Sequence, residues 1–177
     1  MAQAFADAYR DQRWEAIYAS PLQRAVQTAL PLATALGMSV DQRPGLAEID
    51  YGAWDGRMVD DVAAAHHDEH ERWSADPAWN PPTGGETAIT LAHRMTDVVE
   101  EIRCTHGEGN VLAVSHKASI RVLLCALLGV DVGRFRYRFA CPVGSVTIVE
   151  FGAHGPLALA VAERSHLDAR QRALEGT

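Results

Sequence analysis

Residues 111–115 (Val-Leu-Ala-Val-Ser) form a short apolar run. It is followed at once by His116 and then by a second apolar run over 118–128. The first has the length of a buried strand and the second the length and character of a helix. The same alternation recurs along the chain. Residues 2–13 predict a helix, with Phe5, Ala8 and Tyr9 sharing a face and no start signal ahead of them. Residues 14–19 predict a strand. Ser20-Pro21 then opens a helix, Ser at N-cap and Pro at N1. It stops at Gly37 and is kinked by Pro31. A short strand fits 39–41, a Gly- and Pro-containing loop 43–57, one or two short helices 59–73, and a proline-rich loop 76–85. Residues 86–104 make a long amphipathic helix whose stripe is Ile89, Leu91, Ala92, Met95, Val98, Val99 and Ile102. After the helix that follows His116, residues 130–135 form a brief helical or extended connector. Residues 136–140, 145–151 and 157–163 alternate as strands. Strand and helix alternating, then closing strands, predicts an α/β fold: a mostly parallel sheet with helices on both faces. No repeat or linker divides residues 1–177, so one domain is expected.

This order puts His116 at the carboxyl edge of a parallel sheet and at a helix N-terminus. Ligands bind open α/β sheets at that edge, and helix N-termini attract anions such as phosphate. On geometry alone a phosphate-handling histidine and a histidine that merely caps the helix both fit. Arg24 lies in the first turns of the other helix that leaves this edge. It could fork onto phosphate oxygens, although a solvated helix arginine is the commoner occurrence. Lys117 occupies a first turn, where a cation opposes the helix dipole unless an anion is bound. Glu48 sits on a loop rich in aromatics and glycines. Desolvation there would raise its pKa and suit it to donate a proton; exposed loop acids are more frequent. His66 and His70 have i, i+4 spacing, but no third ligand set accompanies them, and a solvated helix face is the simpler reading. His166 reads as structural.

Composition narrows the function classes. A formal charge of -7 argues against nucleic acid or an anionic membrane as partner. It leaves room for a small anionic substrate bound by local cations. Cys104, Cys125 and Cys141 lack metal-type or CxxC spacing and fit structural thiols in a reducing compartment. Neither a bilayer-spanning run nor a signal-peptide pattern is visible. A cytoplasmic protein is expected.

Four segments carry a family resemblance: Tyr18-Ala-Ser-Pro-Leu-Gln-Arg-Ala-Val-Gln-Thr28, Leu46-Ala-Glu-Ile-Asp-Tyr-Gly-Ala-Trp-Asp-Gly56, Pro82-Thr-Gly-Gly-Glu86 and Val114-Ser-His-Lys-Ala-Ser-Ile-Arg121. In order and spacing they resemble the histidine phosphatase superfamily, its phosphoglycerate mutase-like branch, over essentially the whole chain. The strand at Ser145-Val-Thr147 fits the family's closing region. The resemblance implies two-step phosphoryl transfer through a phosphohistidine, without metal or cofactor, on a small phosphorylated metabolite. It makes Arg24 a phosphate-binding residue, His116 the second histidine that binds the transferring group, and Glu48 the proton donor. Lys117 joins the phosphate-binding set.

One motif is missing. The family's nucleophilic histidine lies in an Arg-His-Gly triplet at the end of its first strand, and no such triplet occurs here. His93-Arg94 is reversed and mid-helix, and Thr105-His106-Gly107 lacks the arginine. The expectation is a fold whose first strand is absent, in a chain that starts midway through the following helix. Burying about five apolar residues in such a strand is worth on the order of 10 kcal/mol at roughly 2 kcal/mol each. That rivals the net stability of a domain. The chain is then expected to be unstable, or to borrow a strand from a neighbour, for which a homodimer is one route. An upstream in-frame Arg-His-Gly is the companion expectation, checked by reading the codons before Met1.

The leading function is a phosphomonoesterase whose complete form uses a phosphohistidine, with the present chain lacking the nucleophile and inactive. The alternatives are a phosphoglycerate mutase, a non-catalytic module that binds phosphate-bearing ligands, and a partner-binding protein with exposed sheet edges. Tyr51, Trp54 and the 73–79 loop are candidates for the mouth of the site.

Overall fold

The computed structural model describes residues 1–174. Three parallel strands form the central sheet: β1 (Trp14–Ala19), β2 (Asp41–Gln42) and β3 (Asn110–Val114), in the order β2-β1-β3. The β1–β3 register runs from Trp14 opposite Asn110 to Ala19 opposite Val114. Both strands therefore end at one level, and the chain leaves each of them towards the same edge.

The period-two alternation of β1 sorts its side chains between two cores. Ala16 and Tyr18 pack with α5 (Ala88–Thr105) and α6 (Lys117–Leu127), through Leu91, Met95, Val98, Val122 and Cys125. Ile17 and Ala19 face the other way, with Ala6 of α1 (Ala2–Tyr9) and Ala29, Leu32 and Ala33 of α2 (Gln23–Leu36). β3 divides likewise: Val111 joins the first core, Leu112 and Val114 the second. The fold is thus α/β, with helices on both faces of a mostly parallel sheet.

Helix ends follow local chemistry. α2 stops at Gly37, which has φ +65, and Met38 N donates to the Ala33 carbonyl in a Schellman-type ending. Pro31 lies inside α2 without dividing it. α5 begins one residue after Thr87, whose hydroxyl oxygen accepts from Thr90 N at 3.0 Å. Two short helices, α3 (Val59–Ala65) and α4 (His67–Ala75), precede the proline-rich loop, and α7 (Ala169–Arg172) lies near the end.

Two sequence expectations need correction. Ser20 is not the N-cap of α2. That position is Leu22, and Ser20-Pro21 belong to the turn before it, where Ser20 Oγ accepts from Leu22 N at 3.2 Å. Residues 136–140 are not a strand. A 3-10 turn spans Val132–Tyr137, because the Asp131 side chain accepts from Gly133 N at 2.9 Å and winds the chain tightly.

The closing strands β4 (Val146–Gly152) and β5 (Gly155–Glu163) make an antiparallel hairpin. Among the described strands it shares no ladder with the three-stranded sheet, so β3 is paired on one side only. The hairpin is correspondingly wet: Leu157 is 59% and Leu159 55% exposed. Among the described residues no helix is long and apolar enough to cross a membrane.

Candidate active site

The ends of β1 and β3 bring Ser20 and His116 together. Ser20 N donates to the Val114 carbonyl at 2.9 Å, extending the ladder by one bond. Ser20 is fully buried and His116 is 6% exposed. Arg24, in the first turn of α2, donates from Nε to His116 Nδ1 at 3.1 Å. Because Arg24 Nε–H can only donate, Nδ1 must be unprotonated. The neutral ring then carries its proton on Nε2, which lies 2.7 Å from Ser20 Oγ and donates to it. Burial lowers the His116 pKa from its ordinary 6.5, as do the Arg24 and Arg94 charges, with Glu48 opposing. A neutral imidazole is what both hydrogen bonds require. The outer nitrogens of Arg24, which is exposed, have no hydrogen-bond partner among the described residues and face solvent.

Glu48 is half-buried, and what surrounds its carboxylate is a set of donors. Its carboxylate accepts from Ile49 N at 3.0 Å, Ser119 N at 3.1 Å and, more weakly, Ala118 N at 3.4 Å. The Ser119 hydroxyl lies 2.9 Å from the same carboxylate and 2.8 Å from the Ala47 carbonyl. Glu48 therefore fills the N-terminus of α6, the end that the sequence reserved for phosphate. His116, at the N-cap position of α6, makes no side-chain capping bond. Lys117 is exposed at the first position of that helix.

The loop bearing Glu48 is held by a residue that the sequence reading set aside. Arg94 donates to the carbonyls of Gly45 at 2.7 Å, Ala47 at 2.9 Å and Glu48 at 3.1 Å. It also forms a two-point ion pair with Glu86. Glu86 in turn accepts from Asp50 N at 3.0 Å. The Pro82–Glu86 motif thus braces the Glu48 loop. Glycines on both sides allow this close approach: a Cβ on Gly85 would lie 2.6 Å from the Asp50 carbonyl oxygen, and one on Gly52 2.4 Å from that of Thr83. The available signal was an arginine on the apolar stripe of α5, three residues from Leu91 and four from Val98, both buried.

Other candidates are placed apart from His116. Trp54 and Trp73 do not line an open mouth. They are buried with Val62 in a third core, rings 5.6 Å apart, and Trp54 Nε1 donates to Glu69 at 3.1 Å. Trp79 is 71% exposed. His70 stacks on the same pair, and His66 lies 3.8 Å from Glu69. His166 packs edge-on against Phe5 and Tyr9. Cys125 and Cys141 are buried and unbridged; burial, with Asp131 adding to it, pushes the Cys125 thiol up to about 11.

An imidazole fixed in one tautomer, an adjacent arginine and a helix start without a side-chain cap thus meet at one sheet edge. The family model described as the histidine phosphatase superfamily (branch 1) matches residues 1–164, and the chain belongs to that superfamily. Phosphoserine phosphatase 1 of Hydrogenobacter thermophilus is 35% identical over 135 residues, 76% of this chain and 64% of that protein. Glucosyl-3-phosphoglycerate phosphatase of Mycolicibacterium vanbaalenii is 32% identical over 123 residues, 66% of this chain and 54% of that protein. The chain thus spans less than two thirds of the length of either relative. Among solved structures, Bacillus stearothermophilus YhfR superposes with a TM-score of 0.87 at 23% identity, covering 93% of this chain and 82% of that one. Relatives named as phosphatases make phosphate-ester hydrolysis an activity of this superfamily.

Proposed function

We propose that Arg24, His116 and the uncapped start of α2 form the phosphate-holding part of a phosphomonoesterase site for small phosphorylated metabolites. One observation carries this reading: a buried histidine locked between Arg24 Nε and Ser20 Oγ at the carboxyl edge of the sheet. Arg24 supplies positive charge and a planar donor fork. His116 supplies a ring N–H that can turn from Ser20 to a phosphate oxygen. Both would stabilise charge that develops on the transferring group. Lys117, exposed at the first position of α6, is the further candidate cation.

Glu48 is the candidate proton donor. For that role its carboxyl would have to be protonated and leave the amides of α6, which makes the loop bearing it a moving part of the cycle. The attacking histidine of the phosphohistidine scheme is not in evidence: the 177 residues contain no Arg-His-Gly. Turnover is therefore assigned to a form that carries such a segment, and phosphate binding to the present residues. The names of the relatives support hydrolysis over the mutase alternative.

The test measures inorganic phosphate and vanadate binding together with p-nitrophenyl phosphate turnover. The 177-residue chain is expected to bind without turnover, and Arg24→Met to abolish binding. A form extended by an Arg-His-Gly segment is expected to turn over. Turnover by the 177-residue chain that vanishes in His116→Ala would sink the assignment of the nucleophile to another segment.

A further inference from the structure

Ser20 is fully buried, yet its hydroxyl proton has no acceptor among the described residues. A serine oxygen offers two lone pairs and one O–H. At Ser20 both lone pairs are taken by donors: Leu22 N–H reaches Oγ at 3.2 Å, and His116 Nε2 lies 2.7 Å away. The direction of the second bond is set from the far side of the ring. Arg24 Nε can only donate, so Nδ1 accepts at 3.1 Å and the ring proton sits on Nε2. The Ser20 O–H therefore has no lone pair to meet on the imidazole and points elsewhere. Buried polar groups nearly always find partners, and an enclosed hydroxyl proton without one marks a place for an acceptor.

The groups beside Ser20 at the β1–α2 junction are donors as well. The amides of Ala25 and Val26 both go to the Leu22 carbonyl, at 2.9 and 3.3 Å, and those of Gln23 and Arg24 have no partner among the described residues. No acidic side chain lies in the first turn of α2. The junction thus gathers a hydroxyl proton, two backbone amides and the Arg24 guanidinium around one imidazole N–H, with no acceptor to match them. A tetrahedral oxyanion carries acceptors on every side and meets such a set. A neutral ligand would bring acceptors without the charge that favours Arg24 and the helix dipole.

We infer that Ser20 is a further ligand of the phosphate position and the residue that holds His116 ready for it. Without phosphate, Ser20 Oγ accepts the Nε2 proton and fixes the ring as a donor. When a phosphate oxygen arrives, Nε2–H and Ser20 O–H both turn to it, no proton is transferred, and Leu22 N–H stays on Oγ. A hydroxyl suits this double duty because it accepts and donates at once and its proton rotates freely. Alanine would leave the buried Nε2–H stranded and the phosphate one donor short. This role rests on the phosphate-site reading above and adds a residue to it.

Titration calorimetry of the 177-residue chain with inorganic phosphate, read together with the imidazole NMR signals of His116, tests this role. Ser20→Ala is expected to weaken phosphate binding roughly tenfold or more, the worth of a hydrogen bond to a charged group. Ser20→Thr keeps the hydroxyl and should bind within about threefold of the parent. The His116 Nε2 proton should be protected from exchange with water in the parent and in Ser20→Thr, and unprotected in Ser20→Ala. A serine that only shaped the turn would leave that proton untouched. Ser20→Cys, close in size but a weak donor, replaces Ser20→Ala if circular dichroism shows the alanine variant unfolded. Parent-like phosphate affinity in the folded variant, with binding abolished by Arg24→Met, overturns the role of Ser20 and leaves the phosphate site standing. Weakened binding with the Nε2 proton still protected also overturns it, as does a folded Ser20→Thr that binds as poorly as Ser20→Ala. A parent chain that binds no phosphate overturns the phosphate-site reading and the role of Ser20 with it.

Discussion

Two strand-to-helix junctions meet at one edge of the sheet, and they handle a helix N-terminus in opposite ways. At the β3–α6 junction the chain passes straight from Ser115 and His116 into the helix, and Glu48 arrives from about seventy residues away to fill its first amides. At the β1–α2 junction a turn intervenes, Leu22 caps without a side-chain bond, and no acid lies in the first turn. One N-terminus already holds a carboxylate, whereas the other holds none and stands beside Arg24. An anion is favoured where the dipole is unanswered, which is why the proposed phosphate position lies at α2 rather than α6. His116 joins the two: it belongs to the filled junction and points its ring into the open one.

The contrast is open to direct attack. The largest effect should come from Arg94→Met, which removes the clamp on the Glu48 loop and strands Glu86. Breaking a largely buried pair this way should cost about 3 kcal/mol in chemical denaturation. Hydrogen exchange should show protection lost at Ser119 and kept at Ala25; equal loss at both would mean that the junctions are not independent. Next in size is Leu22→Asp. A carboxylate at the empty cap of α2 should stabilise the fold by about 1 kcal/mol and, by occupying the anion position, weaken inorganic phosphate binding. Stabilisation with unchanged phosphate affinity would move the phosphate away from α2.

The smallest effect is on acid stability. His116 titrates below its ordinary 6.5 in the fold, chiefly through burial. Between its folded and unfolded values the unfolded chain therefore holds more protons. The contribution of His116 to stability is complete above the unfolded value and is lost as pH falls through it towards the folded one. Denaturation midpoints should fall between about pH 7.5 and about pH 5.5, and His116→Asn should flatten that fall. A slope unchanged in the variant would assign the acid sensitivity to other groups.

How much of this was legible in sequence depended on the range of each interaction. β1, β3, α5 and the His116 junction were legible because period and caps are local, and the placement of His116 and Arg24 at one edge followed from two strands ending there, though not the hydrogen bond between them. Residues 136–140 were misread as a strand because Tyr137 and Phe139 alternate as a strand would, whereas the Asp131 turn carries the 3-10 winding through Tyr137. The capping of α6 by Glu48 was invisible, since nothing near either residue announces a contact across so long a stretch of chain. Arg94 could have been found: a charge on an apolar stripe must have partners, and here they are three carbonyls and Glu86.

The one-sided pairing of β3 has a consequence that can be measured in deuterium. In a parallel ladder successive amides of a strand turn to alternate neighbours. Over Asn110–Val114 only the set facing β1 has a strand to donate to. Isotope uptake along these residues should alternate slow and fast, a two-residue beat set by the backbone alone. Any strand that later settles on the free side, from whatever source, would slow the fast members and erase the beat. This short strand is therefore a ready gauge of how many neighbours the sheet has.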